Sequence, residues 1–379
     1  MQPQKTIYLD NNATTRLDER VLEAMLPYFT ENYANANSAH LAGLSVNGAV
    51  ELAAWHTAGL IGAEEKEIVF TSGATESINL AIKGFVSKNR THIVTVATEH
   101  KAVLDTCLYM ESIGFDVSFL PVNSDGLLNL ELLEKTITNN TLMVIVMMVN
   151  NETGVIQDCR EIARIAHAKN ALFMCDATQA VGKIPVAVED LGIDLLAFSA
   201  HKFYGPKGIG ALYISSKAKI KLSPQLHGGG QQRKLRSGTL NVPGIIGLGK
   251  ACEIALAEME ADEERVNALR NHLEESLLKI EGSFVNGNSQ KRIYNTSNIC
   301  FPGISAQRLI IALQNIAVSD GSACSSVITE PSHVLKALGL SNENALSSVR
   351  FSLGKFTIFE EIEETIAKVT KLVKELKPN

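Results

Sequence analysis

The sequence predicts an α/β fold: a mainly parallel, seven-stranded sheet flanked by helices, followed by a smaller α+β domain. Two observations carry this. From about residue 66 to residue 214, short apolar runs alternate with helical segments, the pattern of strands that run parallel and are buried on both faces. After Pro243 the pattern changes to long amphipathic stripes, with Val266, Leu269, Leu273, Leu277 and Ile280 recurring at steps of three and four.

The strands of the first part are expected at 67–71, 92–97, 116–120, 142–149, 171–175, 193–198 and 210–214, with helices at 75–85 and 162–168 among them. The run 142–149 is wholly apolar, as a strand covered on both faces must be. In the second part, strands at 294–301 and 348–353 flank a helix at 307–313, and Pro331 opens a helix that stops at Gly339. A last helix follows Thr357, where Thr357 and Glu360 have the spacing of a capping box and Ile362, Ile366, Val369, Val373 and Leu376 form one stripe. The expected division is a large domain over 13–258 and a small one made of 1–12 and 259–379.

A chain of 379 residues can bury a sizeable core and form more than one domain. Its 35 basic and 41 acidic residues leave a net charge of −6, which argues against nucleic acid or an anionic membrane as the main partner. The opening MQPQKTIYLD lacks the apolar core of a signal peptide, and no apolar run is long enough to span a bilayer. The six cysteines are scattered, with no C-x-x-C pair, so neither a zinc site nor any other metal is expected, and a reducing cytoplasm is.

Polar residues cluster where five of the strands end: TSGAT (71–75), Glu99 with His100, Asn150 to Glu152, DATQ (176–179) and SAHK (199–202). In parallel sheets, ligands bind outside the carboxyl ends of the strands. TSGAT joins a strand to a helix and so exposes backbone N–H groups that suit a phosphate, or it is a plain N-cap by Ser72 or Thr75. Asp176 either caps a helix or serves a ligand. Lys202 ends a core strand, just before Gly205, Pro206, Gly208 and Gly210 turn the chain. It is either a snorkelling surface lysine or an amine kept for Schiff-base chemistry. Arg350 shares a face with Ser348 and Ser352; it is a surface group or a planar grip for a carboxylate. Cys107, Cys159, Cys175, Cys252 and Cys300 sit in apolar periodic segments and read as core. Cys324 sits among small and polar residues in SDGSACSS (319–326), which reads as an exposed loop carrying a candidate nucleophile.

Taken together, these segments resemble the cysteine desulfurases of the NifS/IscS type, group I, in the class V aminotransferase superfamily. SAHKFYGPKGIG (199–210) resembles that superfamily's cofactor-lysine segment, YLDNNATT (8–15) the opening, and TSGATESIN (71–79) the phosphate cup. TEHKAVL (98–104), CDATQA (175–180) and SVRFSLG (348–354) match further motifs, and GSACSS followed by EPSHVLKALG (330–339) resembles the persulfide loop. There are departures. NANSAH (35–40) carries Ala36 and Asn37 where the family has proline and serine, and GGGQQRKLRSGT (228–239) changes the charge balance at Gln232 and Lys234.

The resemblance implies the fold type I of pyridoxal 5′-phosphate (PLP) enzymes. It implies removal of sulfur from L-cysteine, giving L-alanine and a persulfide on Cys324. Lys202 would join the cofactor and, with His100, move protons. Ala74, Thr75, Ser199 and His201 would hold the cofactor phosphate, and Thr239 would reach it from a neighbouring subunit. Asp176 would keep the ring nitrogen protonated, Gln179 would bond the phenolic oxygen, and His100 would stack on the ring. Asn151 would contact cofactor or substrate, and Arg350 would anchor the substrate carboxylate. The implied partners are a second copy of the chain and a sulfur-acceptor protein, either an iron–sulfur scaffold or a carrier for tRNA thiolation. The residues alone leave two other readings open: an ordinary PLP aminotransferase or lyase, and a non-enzymatic scaffold.

Overall fold

A computed structural model describes residues 6–85, 90–320 and 330–377. The strands are β1 (Ile7–Tyr8), β2 (Ile68–Thr71), β3 (His92–Val96), β4 (Asp116–Leu120), β5 (Thr141–Ile145) and β6 (Leu172–Asp176), then β7 (Leu195–Ser199), β8 (Gly210–Ile214), β9 (Phe284–Val285), β10 (Thr296–Cys300), β11 (Ile316–Ala317) and β12 (Ser348–Ser352). Seven of them form one sheet in the order β2-β8-β7-β6-β5-β3-β4. Only β8 runs against its neighbours in this sheet, antiparallel to both β2 and β7.

Alternate residues of the strands enter different cores, which is why the runs are mostly apolar. Val69, Ile93, Ile145, Met174, Leu195 and Leu212 face one side, with Ile78 and Val103 of the covering helices. Phe70, Val94, Val144, Phe173, Phe198 and Tyr213 face the other, with Ile162 and Leu248. A third core gathers Leu9, Ile299, Leu309, Val349, Phe351, Ile362 and Val369, around the three-stranded sheet β12-β10-β9 and the pair β1-β11. One helix, Val242–Leu277, serves two of these cores. Ile245, Leu248 and Cys252 pack in the large one, while Val266, Leu269, Leu273 and Leu277 pack in the third. Sequence periodicity picks out only this second half.

The structure differs from the sequence reading at three elements; one is the helix expected to open at Pro331, which runs His333–Ala337 because the Ser332 side chain caps it, leaving Pro331 outside. The expected strand 142–149 is regular only over Thr141–Ile145. Val146 N and Met148 N still bond the Met174 and Asp176 carbonyls of β6, at 3.1 and 2.9 Å, but on the edge towards β3 the pairing stops and Glu99 takes the N–H of Met147 at 2.6 Å. Residues 146–149 remain buried, so their apolar character has the same cause. The last helix, Phe359–Leu376, is capped one residue later than its capping-box spacing suggests. Glu361, not Glu360, reaches back to the Ile358 N–H, and Thr357 Oγ1 accepts instead from Gly354 N at 3.0 Å. His40 caps the helix Leu41–Ile61 by accepting from Gly43 N through Nδ1.

Candidate active site

The carboxyl ends of the parallel strands open on one cavity of about 430 Å³. Ala74 and Thr75 enter it from the turn after β2, His100 from the turn after β3, and Asn151 from beyond β5. Asp176 and Gln179 come from the end of β6, and Ser199, His201 and Lys202 from the end of β7. Arg350 enters from β12, so the second part of the chain closes the cavity. Thr239 is exposed and is not among the lining residues. Cys324 lies outside the described residues.

One corner suits a phosphate. The helix Ala74–Gly84 begins there after Gly73, whose φ of +152° is open to glycine. A Cβ on Gly73 would come within 3.2 Å of Ser199 Oγ. That hydroxyl accepts from Ala74 N at 2.7 Å, so the β7 end and the helix start are held together. Neither Ser72 nor Thr75 caps the helix; Glu76 accepts from Ser72 N and pairs with Arg236, which draws the 228–239 segment up to the cup. His201 rests on Thr14 Oγ1 through Nδ1. Burial and the cations Lys202, Lys207 and Lys183 push its ring down to about 4, so it is a neutral imidazole at neutral pH.

Asp176 is buried, and one of its oxygens accepts from Thr178 N at 2.9 Å. Gln179 donates from Nε2 to the Asn12 carbonyl at 2.9 Å. His100 accepts from Ala102 N through Nδ1, capping the helix Lys101–Ser112, so its proton is on Nε2. Burial lowers its pKa, with Asp176 pulling the other way.

The Lys202 amine donates to the carbonyl oxygens of Asn12 at 2.8 Å and Ala13 at 2.7 Å. Burial first, then the positive charge of Arg350, pulls its pKa from the usual 10.5 down to about 8, against the attraction of Asp176 and Asp10. Arg350 is 4 % exposed. It donates to the Asn151 carbonyl at 2.9 Å and pairs with Asp10 at 2.6 Å, while its Nε has no partner among the described residues.

The cavity fits PLP on features of the chain itself. Two of its lining residues hold buried polar atoms without partners among the described residues, Thr178 Oγ1 and Arg350 Nε, which leaves polar capacity in the cavity wall unused. The helix start suits a phosphate, the buried carboxylate of Asp176 suits a ring N–H, and the depressed amine of Lys202 suits an aldehyde. Sequence reasoning did not single out Asp10, Asn12 or Thr178. Asp10 and Asn12 were visible only as part of YLDNNATT, a polar turn whose partners lie as far as 343 residues away.

Residues 7–365 match the model of the family described as "Aminotransferase class-V". The curated "Cysteine desulfurase IscS" of Anaeromyxobacter sp. (strain Fw109-5) is 48% identical over 376 residues, which is 98% of this chain and 93% of that one. A solved structure described as "NIFS-LIKE PROTEIN" superposes with a TM-score of 0.92 at 40% identity, over 98% of this chain and 100% of that one. Another, "SspA in complex with cysteine", gives 0.83 at 36% identity, over 93% of this chain and 100% of that one. The chain therefore belongs to the class V aminotransferase family and, within it, to the PLP-dependent cysteine desulfurases of the NifS/IscS type.

Proposed function

We propose that the protein removes sulfur from L-cysteine, releases L-alanine and carries the sulfur as a persulfide on Cys324 for delivery to an acceptor protein. The observation that carries this reading is the meeting of three groups in one cavity: the Lys202 amine, the Asp176 carboxylate and the Arg350 guanidinium. PLP, when bound, supplies an aldehyde for amines and a protonated ring that takes up the electron pair left at a deprotonated Cα.

The chain's own residues do the rest. Ala74, Thr75, Ser199 and His201 hold the phosphate, and Thr239 completes that corner from a second copy of the chain. Asp176 keeps the ring nitrogen protonated, Gln179 bonds the phenolic oxygen, and His100 covers the ring face. Lys202 joins the cofactor at rest and then takes the substrate's Cα proton, with His100 Nε2 as a second proton carrier. Asn151 and Arg350 hold the substrate carboxylate. Cys324, assigned from GSACSS alone, attacks the substrate sulfur. An S–S bond forms, the C–S bond breaks, its electron pair stays on Cβ, which takes a proton, and the proton removed from Cα is given back there to yield alanine.

Arg350→Gln keeps a planar polar group but removes the charge. Losing a buried, charge-assisted carboxylate grip costs about 2–4 kcal/mol, so kcat/KM for L-cysteine should fall roughly 30- to 1,000-fold, mostly through KM. An unchanged KM in steady-state assays would exclude Arg350 as the anchor.

Pairing of two copies is supported by the helix Leu41–Ile61, which exposes Leu41, Leu44, Leu52 and Trp55. An iron–sulfur scaffold or a tRNA-thiolation carrier is the acceptor proposed here, in a reducing cytoplasm. No helix among the described residues is long and apolar enough to cross a membrane. The test is anaerobic turnover with L-cysteine and a thiol reductant, measuring alanine and sulfide together. Equal yields are expected. A PLP-loaded enzyme that makes no alanine, even with candidate acceptors present, would overturn the reading.

A further inference from the structure

We propose that Lys183 is a positioning residue that locks the side-chain amide of Gln179 in one orientation, with an Nε2–H group offered to the cavity. The proposal rests on the reading of Gln179 as a ligand of the cofactor's phenolic oxygen and deepens it.

Lys183 is 3 % exposed, and no carboxylate pairs with it among the described residues. Its hydrogen-bond partner is Gln179 Oε1, at 2.7 Å. Burying an unpaired amine is costly, and here burial with Lys202 and Arg350 nearby pushes its pKa down to about 7. Protonated or neutral, the amine still has N–H groups to donate.

The local backbone brings the two side chains together. Residues 177–183 form a helical turn in which Val181 N bonds Ala177 O and Lys183 N bonds Ala180 O. Gly182, at φ +74°, closes that turn against Phe203, the neighbour of Lys202; a Cβ there would sit 2.6 Å from the Phe203 ring. Four residues apart, Gln179 and Lys183 then stand on one side of the turn.

A glutamine amide turned over exchanges its donor and its acceptor. In this site the turned form would set Nε2 against the N–H groups of Lys183. It would also set Oε1 against the Asn12 carbonyl, which now accepts from Nε2 at 2.9 Å. Both contacts therefore select the same form. Nε2 has two hydrogens. One serves Asn12, and the other is left for the cavity that Gln179 lines. Donation into Oε1 also polarises the amide and strengthens that remaining N–H. An anionic oxygen on the cofactor ring is the kind of group such a donor selects.

The test uses PLP-loaded Lys183→Met, Lys183→Gln, Gln179→Leu and the double variant Lys183→Met with Gln179→Leu. Two quantities are read: the pH midpoint of the bound cofactor's visible absorbance, and the Kd for PLP on reconstitution. Gln179→Leu should raise the midpoint by about one pH unit or more, because a donor to an anionic oxygen is lost. Lys183→Met should move it the same way by about one unit, weaken PLP binding, and add nothing in the Gln179→Leu background. Lys183→Gln keeps a donor and should bring the midpoint back towards wild type. Thermal unfolding confirms that each variant is folded, and Lys183→Met should melt no lower than wild type because a buried unpaired amine is gone. A midpoint that moves in Gln179→Leu but not in Lys183→Met overturns the proposal. So does a Lys183→Met shift that persists undiminished in the double variant, which would assign the effect to charge alone. A Gln179→Leu midpoint equal to wild type would instead remove the cofactor-ligand reading of Gln179 on which the proposal stands.

Discussion

Lys202→Ala should fold as the wild type does and lose alanine formation by about 10⁴-fold, because the covalent link to the cofactor and the Cα base go together. The pH dependence has a definite sign. The base is the neutral amine, and with a pKa near 8 about a quarter of it is neutral at pH 7.5, against roughly one part in a thousand at an ordinary lysine value. Wild-type activity should therefore climb from pH 6.5 through pH 8 and level off above that as far as this group is concerned. Alanine release across that range, with thermal unfolding as the control for folding, is the measurement. If Lys202→Ala kept more than about one per cent of wild-type activity, another base would have to be found.

The second large effect is expected at Cys324. Cys324→Ala should keep its PLP absorbance and lose alanine and sulfide together, by at least about 10³-fold, since no sulfur acceptor remains beside the substrate. The other thiols are poor replacements. Cys107, Cys159, Cys175, Cys252 and Cys300 are all buried. Burial pushes the thiols of Cys107 and Cys252 up to about 12 and that of Cys300 to about 11, and holds Cys175 well above the usual range. A Cys324→Ala enzyme fully active on some other amino acid would point to an ordinary aminotransferase or lyase on the same fold.

The sheet was legible because both faces of its central strands β5, β6 and β7 are covered, which writes apolar runs into the sequence. Part of the site was legible for a related reason: Asp176, Ser199 and Lys202 sit at or just after the ends of such runs, whereas Arg350 lies within β12 of the other sheet. What escaped depends on contacts between distant segments. Asp10 acts on Arg350 from across nearly the whole chain, and nothing in the local spacing of either residue announces that pair. Lys183 carries no signal of its own in the local sequence; only the folded backbone turns it inwards onto Gln179. The end of regular pairing at Ile145 was missed because burial continues to Val149, and apolar character cannot distinguish a strand bonded on both edges from a segment that keeps β6 on one edge while a carboxyl group takes its N–H on the other.

The Asn12 carbonyl has a consequence for the timing of the lysine. It accepts from Lys202 and from Gln179 at once. When the amine swings away to work on substrate, this oxygen keeps its other donor and is not stranded without a partner. The Ala13 carbonyl, which accepts the amine's other hydrogen bond, has no such second side-chain donor among the described residues and is the group that loses a partner whenever Lys202 turns to the cofactor or the substrate. The two acceptors of one amine therefore feel its departure differently, and Asn12, held by Gln179, is the one that stays fixed.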